Sequence, residues 1–356
     1  MLSNLSRVLV GMGLAMLLSA CGSSTATPGM GGGISLSVLA GTLTGPVGHV
    51  DNTGTAASFD NPQGVVIDNN GNVYVADTLN DTLRRVSPLG VVTTWAGTTG
   101  QPGSVNATGT ASSFNVPHGL AIDQAGNVYV ADTGNNLVRE VSAMGAVTTL
   151  AGSGVIGSSD GTGAAASFDG PLGVAVDYAG NVYVTDSLNN TIRKITQRGA
   201  VTTLAGTPGV TGSADGSGAA AAFNGPEGMV VDASGNLYVA DTGNHAVRKI
   251  TPSGIVSTLA GNALLPGTLD GSTSVAEFSQ PISVAINVAG VIYVLDKSVH
   301  ALRMINAGKV STLLSDTSTN AGILWQDLPL PLAITLDVHQ QPVMVTNDAV
   351  VQGMGF

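Results

Sequence analysis

One cysteine in 356 residues excludes a disulfide framework, so this chain relies on its core for stability. Basic residues are also scarce, 12 Lys and Arg against 23 Asp and Glu, and they form no cluster, which argues against nucleic acid or an anionic surface as partner. Glutamate is nearly absent: only Glu140, Glu227 and Glu277 stand among the 23 acidic residues. The remaining acids are all Asp, many of them at recurring turn positions where a carboxylate accepts hydrogen bonds from nearby amides, so most of the −11 formal charge is turn chemistry. The apolar run from Val8 to Leu18 is too short to span a bilayer as a helix. No nucleophile elbow, phosphate-binding loop or paired Cys or His metal spacing occurs. Strings such as Asp68-Asn69-Asn70-Gly71-Asn72 lack the distal Glu of a calcium loop and read as turns. No cofactor is expected.

What the chain has instead is repetition. Phe59, Phe114, Phe168, Phe223 and Phe278 are spaced by 55, 54, 55 and 55 residues, and Asp77, Asp132, Asp186, Asp241 and Asp296 keep the same spacing. Each copy is therefore one supersecondary unit that buries its apolar face against its neighbours. Within a copy, Gly64 to Asp68 and Val73 to Asp77 flank an Asn/Gly turn and predict a hairpin. Thr82 to Val86 and Val91 to Ala96 follow as third and fourth strands. The first strand is nearly all apolar, as near an axis, and the fourth is richer in Thr, as at an outer edge. Four-stranded antiparallel blades arranged radially make an all-β propeller. Ser37 to Gly41 matches only a fourth strand, whereas Leu332 to Asp337 and Pro342 to Asn347 match the first two. The two ends complete each other, giving six blades with the last closed by the N-terminal strand.

Arg7 before the apolar run reads as the start of a secretion signal. Leu18-Ser19-Ala20-Cys21 resembles the lipobox of bacterial lipoproteins, which implies cleavage before Cys21 and lipidation of its thiol. Residues 1–20 are thus expected to be a lipoprotein signal peptide, 21–33 a flexible Gly/Ser-rich tether, and 34–356 the propeller. Gly22 beside the lipidated Cys, rather than Asp, resembles outer-membrane lipoproteins, so the expected location is the bacterial cell envelope, on the outer membrane if the host has two membranes.

The strings Gly71 to Thr78 and Gly126 to Thr133, both Gly-Asn-Val-Tyr-Val-Ala-Asp-Thr, and the near-identical Gly235 to Thr242 resemble NHL-repeat β-propellers. The linking segments, such as Ala205 to Phe223, resemble those of bacterial and teneurin-type NHL domains. The resemblance implies a recognition scaffold, with a minority of such domains being enzymes; it carries the fold and leaves function to the site.

Propeller topology places the long interblade links, of about twenty residues each, on the face where the Asp77-type residues end their strands. Each of those Asp residues is followed seven residues later by an Arg (Arg84, Arg139, Arg193, Arg248, Arg303), and the hairpin predicts a bidentate Asp to Arg pair in every such blade; Asn347 takes the Asp place in the sixth. Just after Pro, where the chain enters each innermost strand, stand Gln63, His118, Leu172, Glu227, Ile282 and Leu332, facing the mouth of the central channel. Variation inside a strict repeat marks Gln63, His118 and Glu227 as the candidate ligand-binding residues. Asn115 to Leu120 resembles a zinc-ligand segment of peptidyl-amidating lyases, which implies a metal at His118. The equivalent positions supply no further His, and His49, His245, His300 and His339 do not restore a ring.

The leading expectation is an envelope-anchored, monomeric recognition scaffold for a protein, peptide or glycan on the loop-rich face, touching the membrane only through its lipid. The alternative is a metal-dependent lyase or hydrolase centred on His118 and Glu227. A purely structural domain is the third.

Overall fold

The β-branched runs pair as expected. In the first copy Gly64–Ile67, Val73–Asp77, Thr82–Val86 and Val92–Ala96 lie side by side in one antiparallel sheet. The hairpin between the first two is built by Asp68, whose carboxylate accepts the Asn70 and Asn72 amides at 2.8 Å each, while Gly71 takes φ 79°, a conformation that costs glycine little. The computed structural model describes residues 34–355. The expected signal peptide, Cys21 and the tether lie outside the described residues.

Six such sheets form a ring. Blades 1 to 5 begin with the innermost strands Gly64–Ile67, Pro117–Ile122, Pro171–Val176, Pro226–Val231 and Pro281–Ile286, and blade 6 with Ala333–Leu336. Each innermost strand packs on the next, and that of blade 6 returns to blade 1. Blade 6 is completed from both ends of the described chain: Ser35–Gly41 pairs antiparallel with Ala349–Met354, Ser35 opposite Met354 and Gly41 opposite Ala349. Closure leaves no inner sheet edge open.

Four blades exceed the expected four strands. Gly161–Thr162, Gly216–Ser217 and Gly271–Ser272 add a short outer strand to blades 3, 4 and 5, and Ala321–Gly322 adds a parallel one to blade 6. The links cause this, because they run along the outer edge and pair two residues with it before turning inward.

The core is divided among the blade interfaces. Phe114 packs with Tyr74, Ala76 and Leu83 of blade 1 and with Val128 and Val130 of blade 2, and every repeat Phe has the same place. Fully burying one such ring stabilises by about 2–3 kcal/mol. Trp325, fully buried, takes the role between blades 5 and 6.

Over each Phe lies a buried arginine. The Arg84 guanidinium is 5.3 Å from the centre of Phe59, its Nη1 is 2.6 Å from Asp77 Oδ2, and its Nη2 is 2.6 Å from Asp51 Oδ1. The expected bidentate pair is therefore corrected: Arg bridges two acids, one arm to each, because the Asp77 carboxylate also accepts the Asp60 amide at 2.7 Å and the Asn80 side chain at 2.9 Å. Arg193 and Arg248 repeat the bridge with Asp160 and Asp215, and Arg139 uses Asn106 in the outer place. Asp160, Asp215 and Asp270, each followed by Gly in its link, are thus ligands for arginine. In blade 6 the Asp position is held by Thr346 rather than Asn347, since Val345 pairs with Ala333 as Ala76 pairs with Gly64.

Two outcomes are expected. A chain beginning at residue 42 loses the strand that closes blade 6, and its thermal midpoint by circular dichroism falls by roughly 10 °C or more relative to a chain beginning at residue 34. Arg193→Met strands the fully buried Asp186 and costs about 3–5 kcal/mol, whereas Asp160→Asn, at a half-exposed partner, costs under about 1 kcal/mol in chemical denaturation.

Candidate binding site at the channel mouth

The innermost strands approach one another closely because a small residue follows each mouth residue. A Cβ on Gly64 would stand 2.1 Å from the His118 carbonyl oxygen, and one on Gly173 2.2 Å from that of Glu227. Threonines at the ends of the second strands lock this arrangement across blades: Thr78 Oγ1 donates to Pro117 O at 2.8 Å, Thr133 to Pro171 O at 2.6 Å and Thr185 to Glu227 O at 2.8 Å. The entry residues are thereby held by backbone on both sides.

Gln63, His118, Leu172, Glu227, Ile282 and Leu332 all line one cavity of about 80 Å³, as the repeat register requires. Its floor is a ring of Val65, Leu120, Val174, Met229, Val284 and Ile334, one from each blade, and the same ring roofs a wider cavity of about 640 Å³ open toward the opposite face. The mouth is a shallow polar cup above an aliphatic constriction. It holds a handful of water molecules, or the end of a ligand rather than its body.

The electrostatics of the cup are uneven. Burial pushes the His118 imidazole down to about 4, helped by the nearby Lys297 cation, so it is neutral at physiological pH. Burial pushes Glu227 up to about 7 against the opposing pull of Lys297 and a hydrogen bond from Thr242. The Gln63 amide donates to Asn61 Oδ1 at 3.0 Å, which leaves its carbonyl as acceptor. Lys297 was missed by reading only the entry positions. The residue after the strand-ending Asp is Thr78, Thr133, Ser187, Thr242 and then Lys297, so the same test of variation within the repeat finds it one position class away. The cup thus offers a neutral imidazole, a carboxyl poised near neutrality, an ammonium field and an amide.

A metal fits poorly here. Among the described residues no group of three His, Cys, Asp or Glu is placed to hold one, and a cation at His118 and Glu227 would face Lys297. His49, His245, His300 and His339 line no part of the cup. His245 Nδ1 is engaged with Ser279 O, and His300 Nδ1 lies 2.6 Å from Asp316.

The repeat family described as NHL repeat matches residues 59–84, 114–140, 168–195 and 223–250. This chain carries NHL repeats. Each matched stretch runs from the Phe through the buried Asp to the Arg, so the NHL signature coincides with the packed triad at the blade interface; Phe278, Asp296 and Arg303 repeat it in blade 5. Over 291 residues the NHL propeller is 31% identical to the Arabidopsis thaliana protein SUPPRESSOR OF QUENCHING 1, chloroplastic, a match covering 76% of this chain and 28% of that protein. It is 27% identical to mouse Teneurin-3 over 223 residues, 55% of this chain and 8% of the teneurin. The chain thus spans less than a third of these relatives. Among solved structures, an auxiliary nutrient binding protein from Bacteroides ovatus superposes with TM-score 0.66 at 15% identity, covering 90% of this chain and 76% of that one. A streptogramin B lyase gives 0.57 at 13% identity, covering 90% and 97%. At these identities the likeness is one of fold.

The shifted groups predict opposite pH responses. A Glu held at about 7 keeps its proton in the folded state, so its contribution is full below about pH 4.5, the unfolded value, and is lost as pH rises through 7. Wild type is therefore expected to lose midpoint temperature relative to Glu227→Gln between about pH 5 and pH 8, a gap that stays constant if Glu227 titrates normally. His118, lowered to about 4, contributes fully above about 6.5 and loses that contribution as pH falls through 4, so His118→Leu flattens the acid limb of the same curve.

Proposed function

We propose that this NHL propeller is a recognition module of the bacterial envelope, anchored through a lipid at Cys21, which captures a protein, peptide or glycan on its loop-rich face. A polar end group of the ligand sits in the cup lined by Gln63, His118 and Glu227, within the field of the nearby Lys297. The observation that carries the reading is the convergence of repeat-breaking polar residues on one cavity inside an otherwise uniform frame. The cup's size suits a chain terminus or a hydroxyl-bearing tip, and the links around it supply the wider contact surface. The name of the Bacteroides ovatus relative, an auxiliary nutrient binding protein, agrees with a binding role. On this reading the protein acts as a monomer.

A metal-assisted lyase or hydrolase is the second reading, favoured by His118 and Glu227 lining the same cup. Among the described residues no third ligand joins them. Elemental analysis of the purified chain beside His118→Ala separates the two: one zinc or similar ion per chain that vanishes in the variant supports the enzyme.

The recognition reading is tested by thermal-shift and calorimetric screening of amino acids, short peptides and oligosaccharides against wild type and the Gln63→Ala/His118→Ala/Glu227→Ala triple variant. At least one ligand is expected to bind wild type and to lose tenfold or more in affinity, about 1.4 kcal/mol, in the variant. A screen without a hit, or one in which no hit loses affinity in the triple variant, overturns the site.

A further inference from the structure

The fourth strands read Thr-Leu-Ala-Gly in blades 2, 3 and 4, but Thr-Trp-Ala-Gly in blade 1: Trp95 stands where the other copies carry Leu150, Leu204, Leu259 and Leu313. Its indole is only partly buried and packs on Tyr74, ring centres 4.7 Å apart and tilted by 58°. No acceptor among the described residues bonds its Nε1. Both rings line a cavity of about 550 Å³ in the cleft between blades 1 and 2, at the face opposite the interblade links.

Two further departures from the repeat meet in that cleft. Arg85 replaces the Glu140, Lys194, Lys249 and Met304 of the other copies, and its guanidinium is held by Asn72 Oδ1 at 2.8 Å. The hairpin turns flanking the cleft carry the amides Asn69, Asn70 and Gln124, whereas the same turns in blades 3, 4 and 5 carry Tyr178-Ala179, Ala233-Ser234 and Val288-Ala289. A flat aromatic wall, a fixed guanidinium and a rim of neutral amides are gathered at one interface and at no other.

We propose that this cleft is a saccharide-binding site, independent of the channel mouth. A sugar ring offers a C–H face to an indole and presents hydroxyls, each both donor and acceptor, around its edge; the three amides, which also donate and accept, match those hydroxyls better than charged groups would. The volume lies within the range of roughly 300–1,000 Å³ usual for small-ligand sites. A phosphorylated ligand is disfavoured, because Asp68 and Asp123 line the cleft beside the single cation Arg85. The ligand class is therefore an uncharged oligosaccharide.

The full-length protein is titrated with tetrasaccharides of glucose, N-acetylglucosamine, mannose and xylose, followed by tryptophan emission and by calorimetry. Trp325 is fully buried, so a change in emission on binding reports Trp95. At least one tetrasaccharide is expected to bind, with Trp95→Leu losing tenfold or more in affinity and His118→Ala leaving it unchanged. Trp95→Leu installs the residue of the five sister blades, Leu39 of blade 6 included, and is expected to fold; should it fail to, the turn variant Asn70→Ala/Gln124→Ala provides the same comparison. No binding by any of the four sugars, or binding that survives both Trp95→Leu and the turn variant, overturns the proposal. Binding lost in His118→Ala and kept in Trp95→Leu assigns the sugar to the mouth and also overturns it.

Discussion

A buried arginine on which three other groups converge is the interaction that the rest of this fold depends on. In each of blades 1 to 5 the guanidinium covers the Phe at the blade interface, reaches a fully buried Asp on its own hairpin and, with its second arm, grips the incoming link through Asp or, in blade 2, Asn. Taking the charges out of water costs several kcal/mol per ion, and their attraction offsets this only because the remaining carboxylate lone pairs are used by backbone and Asn amides. The consequence is geometric as much as energetic. One side chain sets the position of a strand end, an aromatic core residue and the start of a long loop together, so the links are docked onto the blades.

That rigidity explains how a uniform frame acquires distinct sites. Glycines after the mouth residues let adjacent inner strands touch, threonines tie their carbonyls, and six entry side chains are presented to one small cup whatever their identity. The frame tolerates Leu172 and Ile282 as readily as His118 and Glu227, so chemistry there is free to vary without repacking a blade. The cleft between blades 1 and 2 follows the same logic, where Trp95 takes the place of a leucine and the supporting strands keep their register.

Much of this was legible in the sequence because the constraints are local or periodic. Alternation and turn residues define the hairpins, a fixed period defines the copies, and incomplete copies at the two ends define closure; none of these needs knowledge of distant contacts. The entry residues were legible for the same reason, since register alone carries Gln63, His118 and Glu227 to one ring. Variation within the repeat marks Lys297 as unusual, but that its charge reaches the mouth depends on how the blades tilt together. The second acid on each arginine was also hidden, for Asp51 and Arg84 are 33 residues apart and meet only when a link folds back over the outer strand.

The sequence by itself determined blade number, the order of the four main strands in each blade, the closing role of the N-terminal strand Ser35–Gly41 and the identity of the residues that break the repeat. Only the tertiary structure decided that the channel narrows to an aliphatic ring beneath a cup of about 80 Å³, that Lys297 shares this cup's field with His118 and Glu227, and that Trp95, Arg85 and two amide-bearing turns face a common cleft. The physical reason is that periodicity fixes which face a side chain points to, whereas cavity size and charge proximity arise from the angle and distance between blades, which depend on packing summed around the whole ring.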